Sequence, residues 1–140
     1  SSNEFRNFLS IARSSLSELD TQLDLSQYLG FVTDADLALL YSQALALVQP
    51  SLIEGFGLVG LEAMSVGLPV LASQATVLPE IYGDAALYFD PRNEDQLVEA
   101  LARLISDQEL VIALIAAGRK RVKQFSWAKC ARQTLAVYKQ

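Results

Sequence analysis

Histidine is absent from the 140 residues, and cysteine occurs once, as Cys130. Without histidine, the Ser-His-Asp and Cys-His arrangements for nucleophilic catalysis are excluded, and a lone cysteine supplies neither an internal disulfide nor a zinc cluster. Any catalysis must therefore use carboxylates, hydroxyls or backbone amides. The sequence also lacks a signal-peptide pattern and any apolar run near the roughly 20 residues of a membrane helix, so we expect a cytoplasmic protein without a transmembrane segment.

Positive charge is missing from the middle of the chain. No Lys or Arg lies between Arg13 and Arg92, whereas that window holds ten carboxylates. From Arg92 onward there are nine basic and five acidic residues, and four of the basic ones fall within positions 119–123. A cluster of this kind can bind nucleic acid, but Gly118 just before it favours a helix C-terminus, where cations interact well with the helix dipole. We therefore expect no nucleic-acid partner.

The apolar content is sufficient for one packed domain over residues 1–140, because 51% of the residues are hydrophobic and 140 residues are too few for two full domains. Apolar periodicity predicts a first helix over Asn3–Leu16, and the predicted strands are Tyr28–Val32, Leu45–Gln49, Pro69–Ala72 and Leu87–Phe89. Helices are predicted between and after these strands, with N-caps at Thr33 or Asp34, Asn93, Ser106 or Asp107, and Ser126. The exception is the connection before Leu87–Phe89, where Pro79 and Gly83 predict a turn. This alternation predicts an α/β fold, a Rossmann-like open parallel sheet with helices on both faces.

Three glycines, Gly55, Gly57 and Gly60, lie within six residues between a predicted strand and a predicted helix. The first amides of a helix have no intrahelical acceptor and carry partial positive charge, so Gly55, Phe56, Gly57 and Leu58 are candidates to bind a phosphate or a sugar. The cluster matches neither GxGxxG nor a P-loop. A tight turn with close packing at Gly60 explains the glycines equally well.

Two carboxylates flank the glycines. Glu54 precedes Gly55, and Glu62 lies eight positions later, about one turn into the predicted helix. Ionised carboxylates accept hydrogen bonds from hydroxyls, which suits a polyol ligand such as a sugar or a ribose. The alternative is that Glu62 is a favourable charge near a helix start and Glu54 a solvated loop residue.

The run from Pro50 to Met64, PSLIEGFGLVGLEAM, followed by Gly67-Leu68-Pro69-Val70, resembles the signature of the glycosyl transferases group 1 family. Further matches occur in the same order along the chain: LGFV at 29–32, LPE at 78–80, GDAA at 83–86, DP at 90–91 and FSW at 125–127. The resemblance covers the chain from about Leu19 to its end. It implies the C-terminal, donor-binding half of a GT-B fold, lacking the first strand or strands of that half.

The resemblance also implies roles for individual residues. Glu54 would face and position the transferred sugar, and Glu62 would bind the nucleotide ribose. The amides of Phe56, Gly57 and Leu58 would contact sugar hydroxyls or the diphosphate, and Phe31 and Val32 would border the base. The implied partner is a nucleotide-diphosphate sugar, the implied reaction is transfer of a hexose-type sugar with retention to an unknown acceptor, and neither a metal nor another cofactor is expected.

The sequence departs from the family pattern in two respects. Val59 stands where many members carry Pro, and Gly60 stands where many carry a bulkier residue. Members of the family also bind the diphosphate through an Arg and a Lys near the start of this domain, and the stretch between Arg13 and Arg92 contains neither residue type. We therefore expect this chain to be a fragment, and its parent to supply the basic pair and the N-terminal acceptor domain. We expect the fragment to be inactive in isolation and to self-associate through an exposed sheet edge. The alternative is a non-catalytic sugar-nucleotide-binding or assembly module.

Overall fold

The computed structural model describes residues 33–139. The described chain divides after Gln43 into two units. The first unit contributes one described helix, α1 (Asp34–Gln43). Thr33 begins α1 as predicted, because its hydroxyl accepts the amide of Asp36 at 3.3 Å while the Asp36 carboxylate accepts the Thr33 amide at 2.9 Å. The predicted helix Asn3–Leu16 and the predicted strand Tyr28–Val32 lie outside the described residues.

The second unit contains a three-stranded parallel sheet. Its strands are β1 (Leu47–Gln49), β2 (Val70–Ser73) and β3 (Ala86–Phe89), in the order β1-β2-β3. Val48 of β1 pairs with Leu71 of β2, which pairs in turn with Leu87 of β3. All three strands were predicted from apolar runs, with bounds that differ by one or two residues.

Five α-helices follow or connect these strands within the second unit. They are α2 (Leu58–Val66), α3 (Leu78–Tyr82), α4 (Glu94–Ser106), α5 (Gln108–Val122) and α6 (Trp127–Tyr138), with a 3-10 turn at Gly83–Ala85. The predicted N-caps of the last three are confirmed: the side chains of Asn93, Asp107 and Ser126 accept the backbone amides of Gln96, Leu110 and Lys129.

Helices cover both faces of the sheet, as predicted. On one face Leu71 and Phe89 are buried against Ala100 of α4, and Val48 packs at the edge of the same cluster. Successive side chains of a strand point to opposite faces, so Gln49 faces the other side, where its side chain meets Tyr82 of α3. Of the described helices in this unit, α6 stands apart because none of its residues is buried.

Two predictions about local structure were wrong. The basic cluster does lie in the last turn of α5, as predicted, but Gly118 does not end that helix, which continues to Val122. The glycine instead allows α5 to approach α2, since a β-carbon at this position would lie 3.0 Å from Cγ of Met64. The segment around Pro79 was expected to be a turn, but it forms α3, with Pro79 in the first helical turn, where no amide is needed.

Candidate functional site

The loop between β1 and α2, residues 50–57, is called the glycine loop below, and it leaves the sheet at the carboxyl end of β1. Ligands of open α/β sheets bind at this end of the strands. Glu54 is half-buried in the loop. Its Oε2 accepts hydrogen bonds from Nε2 of Gln49 at 3.0 Å and from the Ser51 hydroxyl at 3.3 Å, and its Oε1 accepts the Gly55 amide at 3.2 Å. The Glu54 carboxylate is therefore held by three protein donors.

The glycine loop is also tied to the residues that follow β2. The amide of Glu54 donates to Oγ1 of Thr76 at 3.2 Å, and the same hydroxyl lies 3.4 Å from the Glu54 carbonyl oxygen. Thr76 has φ +50°, an unusual conformation for a β-branched residue. The buried Ser73 hydroxyl donates to the Ser51 carbonyl at 2.6 Å. The backbone around Glu54 is thus held by the adjacent strand as well as by its own.

Tyr82 lies beneath the glycine loop, with its ring fully buried. Its hydroxyl is 2.6 Å from Oε1 of Gln49 and 2.7 Å from the carbonyl oxygen of Gly57. Burial raises the pKa of this phenol well above its ordinary value, and the Glu54 charge adds to that effect, so Tyr82 stays protonated and can donate.

Close contact with Tyr82 accounts for two of the three clustered glycines. A β-carbon at Gly57 would clash with the Tyr82 hydroxyl and lie 2.7 Å from Cδ2 of Leu78. A β-carbon at Gly60 would lie 2.9 Å from Cε1 of Tyr82 and closer still to the hydroxyl-bearing end of the ring. At Gly55 nothing lies within 4 Å. Close packing therefore explains Gly57 and Gly60, and it leaves Gly55 as the position where another molecule can approach the backbone.

Gly57 caps α2 with φ +90°, and Leu58 is the first helical residue. Within residues 33–139, the backbone amides of Phe56, Gly57 and Leu58 donate no hydrogen bond. Phe56 packs edge-on against Phe125, with ring centroids 5.8 Å apart. Of the four residues predicted to present amides, Gly55 therefore uses its amide to hold Glu54, and the other three amides lie at the start of α2 on a backbone that an aromatic pair anchors.

A cation lies close to this aromatic pair. The Arg121 guanidinium is 5.5 Å from the centroid of the Phe125 ring. Its Nε donates to the Ile81 carbonyl at 2.7 Å, and Nη2 donates to the Glu80 carbonyl. Arg121 therefore binds the last carbonyls of α3 and fixes the helix that carries Tyr82.

Glu62 lies on the exposed side of α2, one turn from the helix start, as its position in the sequence predicted. Its neighbours Leu61 and Ala63 are buried, so the helix presents Glu62 to solvent while it packs on either side. The predicted base-contacting residues, Phe31 and Val32, lie outside the described residues.

Sequence reasoning missed the residues that hold Glu54, namely Gln49, Ser51, Ser73, Thr76 and Tyr82. Gln49 was only the last residue of the predicted strand Leu45–Gln49, with no role assigned to it, yet it is 5% exposed. A polar residue inside an apolar run, five positions before Glu54, was the available signal.

In the part of the chain that the structure describes, no three Asp, Glu or Cys side chains come together in a group able to hold a metal ion. No helix among these residues is long and apolar enough to cross a membrane.

The parallel α/β sheet, with a glycine-rich loop and a held carboxylate at its carboxyl end, defines a domain of the Rossmann-like class. The sequence profile of the glycosyl transferases group 1 family matches residues 12–121. A mannosyltransferase of Escherichia coli, O-antigen chain mannosyltransferase B, is 45% identical over 113 residues, which cover 81% of this chain and 30% of that protein. The chain therefore belongs to the glycosyl transferases group 1 family.

Solved structures agree with this assignment. Sucrose-phosphate synthase from Thermosynechococcus elongatus has a TM-score of 0.70 at 31% identity, over 89% of this chain and 34% of that one. The C-terminal domain of a glycosyl transferase group 1 family protein from Francisella tularensis has a TM-score of 0.58 at 28% identity, over 77% of this chain and 63% of that one. The fold is that of GT-B glycosyltransferases. The chain spans about 30% of the length of the E. coli relative.

Proposed function

We propose that this chain is the donor-binding domain of a retaining glycosyltransferase that transfers a hexose-type sugar from a nucleotide diphosphate. The observation that carries the proposal is that the Glu54 carboxylate is held in place and still has a position at which it can accept a hydrogen bond. Gln49, Ser51 and Gly55 hold its carboxylate in place, while Oε1 accepts one protein hydrogen bond from the described residues and keeps a second acceptor position. A sugar hydroxyl can donate to that position.

The remaining parts of the donor follow from the same loop. Glu62, exposed on α2, binds the nucleotide ribose in this proposal. The amides of Phe56, Gly57 and Leu58 meet the diphosphate or sugar hydroxyls, since helix-start amides stabilise anions. Gly55, with nothing within 4 Å of a β-carbon, lets the donor approach the backbone. Glu54 positions the sugar and is not assigned as a covalent nucleophile. Charge on the leaving group is stabilised by helix-end amides and by cations, with no metal or other cofactor.

The acceptor and the base are assigned to other parts of the protein. Phe31 and Val32 border the base, and an N-terminal domain of the same parent chain supplies the acceptor site and the basic pair. The domain on its own, residues 1–140, is inactive and binds its donor weakly in this proposal. The likeness to an E. coli mannosyltransferase supports mannose as the first sugar to test. A cytoplasmic location and the absence of a nucleic-acid partner belong to the same proposal.

Isothermal titration calorimetry with several nucleotide diphosphates and their sugars tests the proposal. We expect weak binding that does not depend on Mg²⁺ and that Glu62→Ala weakens. Glu99→Ala is the matched control, since Glu99 is an equally exposed helical glutamate on α4. Tight binding that requires Mg²⁺, or binding that Glu62→Ala leaves unchanged, would contradict it.

The lack of Lys and Arg between Arg13 and Arg92 favours a second candidate, a non-catalytic module that binds a sugar nucleotide or serves in assembly. The upstream reading frame distinguishes the two. A preceding doubly wound domain of about 200 residues supports the enzyme, and a natural start near Ser1 supports the module. In either case β1 is an outer strand of the described sheet, and we expect self-association, which light scattering at high concentration measures.

A further inference from the structure

Gln49 connects the buried side of the sheet to Glu54. It is 5% exposed and is the last residue of β1. Its Oε1 lies 2.6 Å from the Tyr82 hydroxyl, and its Nε2 lies 3.0 Å from Oε2 of Glu54. The carboxamide therefore forms a bridge between a buried phenol and the carboxylate of the glycine loop.

The chemistry of the two ends sets the orientation of this bridge. An ionised carboxylate can only accept a hydrogen bond, so the NH₂ group of Gln49 must face Glu54. Its carbonyl end then faces the Tyr82 hydroxyl, whose single proton is shared between this oxygen at 2.6 Å and the Gly57 carbonyl at 2.7 Å. The buried hydroxyl retains its proton and lies within hydrogen-bonding distance of the Gln49 oxygen. The hydrogen bonds therefore run in one direction, from the Tyr82 hydroxyl to the Gln49 carboxamide and from the carboxamide to the Glu54 carboxylate. No polar side-chain atom is left unpaired in the buried part of the described chain.

The bridge acts on one of the two carboxylate oxygens. Gln49 and Ser51 both donate to Oε2, whereas Oε1 receives the Gly55 amide alone among the described residues. Holding Oε2 toward the sheet fixes the plane of the carboxylate and leaves Oε1 as the oxygen with room for a further donor. We propose that Gln49 and Tyr82 are positioning residues, which orient Glu54 so that Oε1 meets a hydroxyl of the donor sugar. This inference rests on the proposed function, because it assigns a purpose to the orientation of Glu54.

The test separates sugar binding from nucleotide binding. GDP-mannose and GDP serve as probes. For each variant of the 140-residue chain, calorimetry gives the affinity for GDP-mannose divided by the affinity for GDP, called the ratio below. Tyr82→Phe removes the hydroxyl and keeps the ring, and Gln49→Met removes the carboxamide at similar volume. Each is expected to reduce the ratio about fivefold, the effect of one hydrogen bond, and to leave GDP affinity unchanged. Circular dichroism verifies that each variant is folded at the temperature of titration.

Tyr88→Phe is the matched control. Tyr88 is half-buried and donates its hydroxyl to the Gly83 carbonyl at 2.8 Å, so the same substitution removes a comparable hydrogen bond outside the bridge. It should leave the ratio unchanged. In a Glu54→Gln background, Tyr82→Phe should have little further effect on the ratio, because the two substitutions interrupt one chain of contacts.

The outcomes distinguish this inference from the function on which it rests. If Glu54→Gln leaves the ratio unchanged, the proposed role of Glu54 is wrong and the inference is overturned with it. If Glu54→Gln reduces the ratio while Tyr82→Phe and Gln49→Met do not, or reduce GDP affinity equally, only the positioning role is wrong. The side-chain amide resonances of Gln49 in ¹⁵N NMR add a reading without ligand. They should shift in both Tyr82→Phe and Glu54→Gln, and constancy in either variant would contradict the bridge.

Discussion

Replacing Gly60 by alanine should destabilise the protein by about 1–3 kcal/mol, although alanine is the better helix former. Propensity alone favours the substitution by about 1 kcal/mol. The new β-carbon, however, would lie 2.9 Å from Cε1 of Tyr82 and closer to the end of its ring. Relieving this clash costs about 1–3 kcal/mol of overpacking. Movement of the ring also breaks the hydrogen bond that the single hydroxyl proton shares between Gln49 and Gly57, at about 1 kcal/mol.

Urea denaturation followed by far-UV circular dichroism measures the change in the free energy of unfolding. Gly55→Ala is the control, because nothing lies within 4 Å of a β-carbon there. It should be neutral or stabilising by up to about 1 kcal/mol, through a smaller entropy of the unfolded chain. In a Tyr82→Leu background, the Gly60→Ala penalty should fall below about 1 kcal/mol, since the ring that causes the clash is gone. Equal stability of Gly60→Ala and Gly55→Ala would refute the packing explanation for the clustered glycines.

Two further predictions concern α3 and β3. Arg121→Met should lower the free energy of unfolding by about 1–3 kcal/mol, because the Ile81 carbonyl loses a charged donor. In the same urea assay the control Lys123→Met, at an exposed position, should change it by less than about 0.5 kcal/mol. Burial raises the pKa of Tyr88 from 10.0 to about 12, so its contribution to stability is complete below pH 10 and is lost as the pH rises toward 12. Urea titrations at rising alkaline pH should therefore show a falling free energy of unfolding, and the fall should be shallower in Tyr88→Phe. An identical fall in both proteins would show that Tyr88 does not contribute.

Much of the fold was predictable because its elements are local. Asn93 and Ser126 precede apolar stripes of helical period, and a cap needs only a side chain three residues from an unpaired amide. Gly118 misled because a glycine beside basic residues has the composition of a helix end. Its actual reason, close contact with Met64, depends on a helix about 50 residues earlier in the chain.

The candidate site was predictable only in part, for the same reason. Glu54, Glu62 and the glycines form a local pattern that the family resemblance identifies. The residues that hold Glu54 in place form no such local pattern, because Tyr82 and Gln49, which contact each other, lie 33 positions apart in the sequence. The departure at Gly60 also becomes explicable, since Tyr82 fills the space that a bulkier residue would take. We expect relatives with a larger residue at that position to carry a smaller one where this chain has Tyr82.

The exposure of α6 determines what fluorescence can report about this protein. The chain has a single tryptophan, Trp127, which begins α6 and is 80% exposed. Its emission should resemble that of a solvated indole whether or not the sheet is folded, so tryptophan fluorescence is a poor measure of unfolding for this chain. The same exposure makes it a sensitive probe of anything that covers α6, since burial of the indole would shift the emission to shorter wavelength.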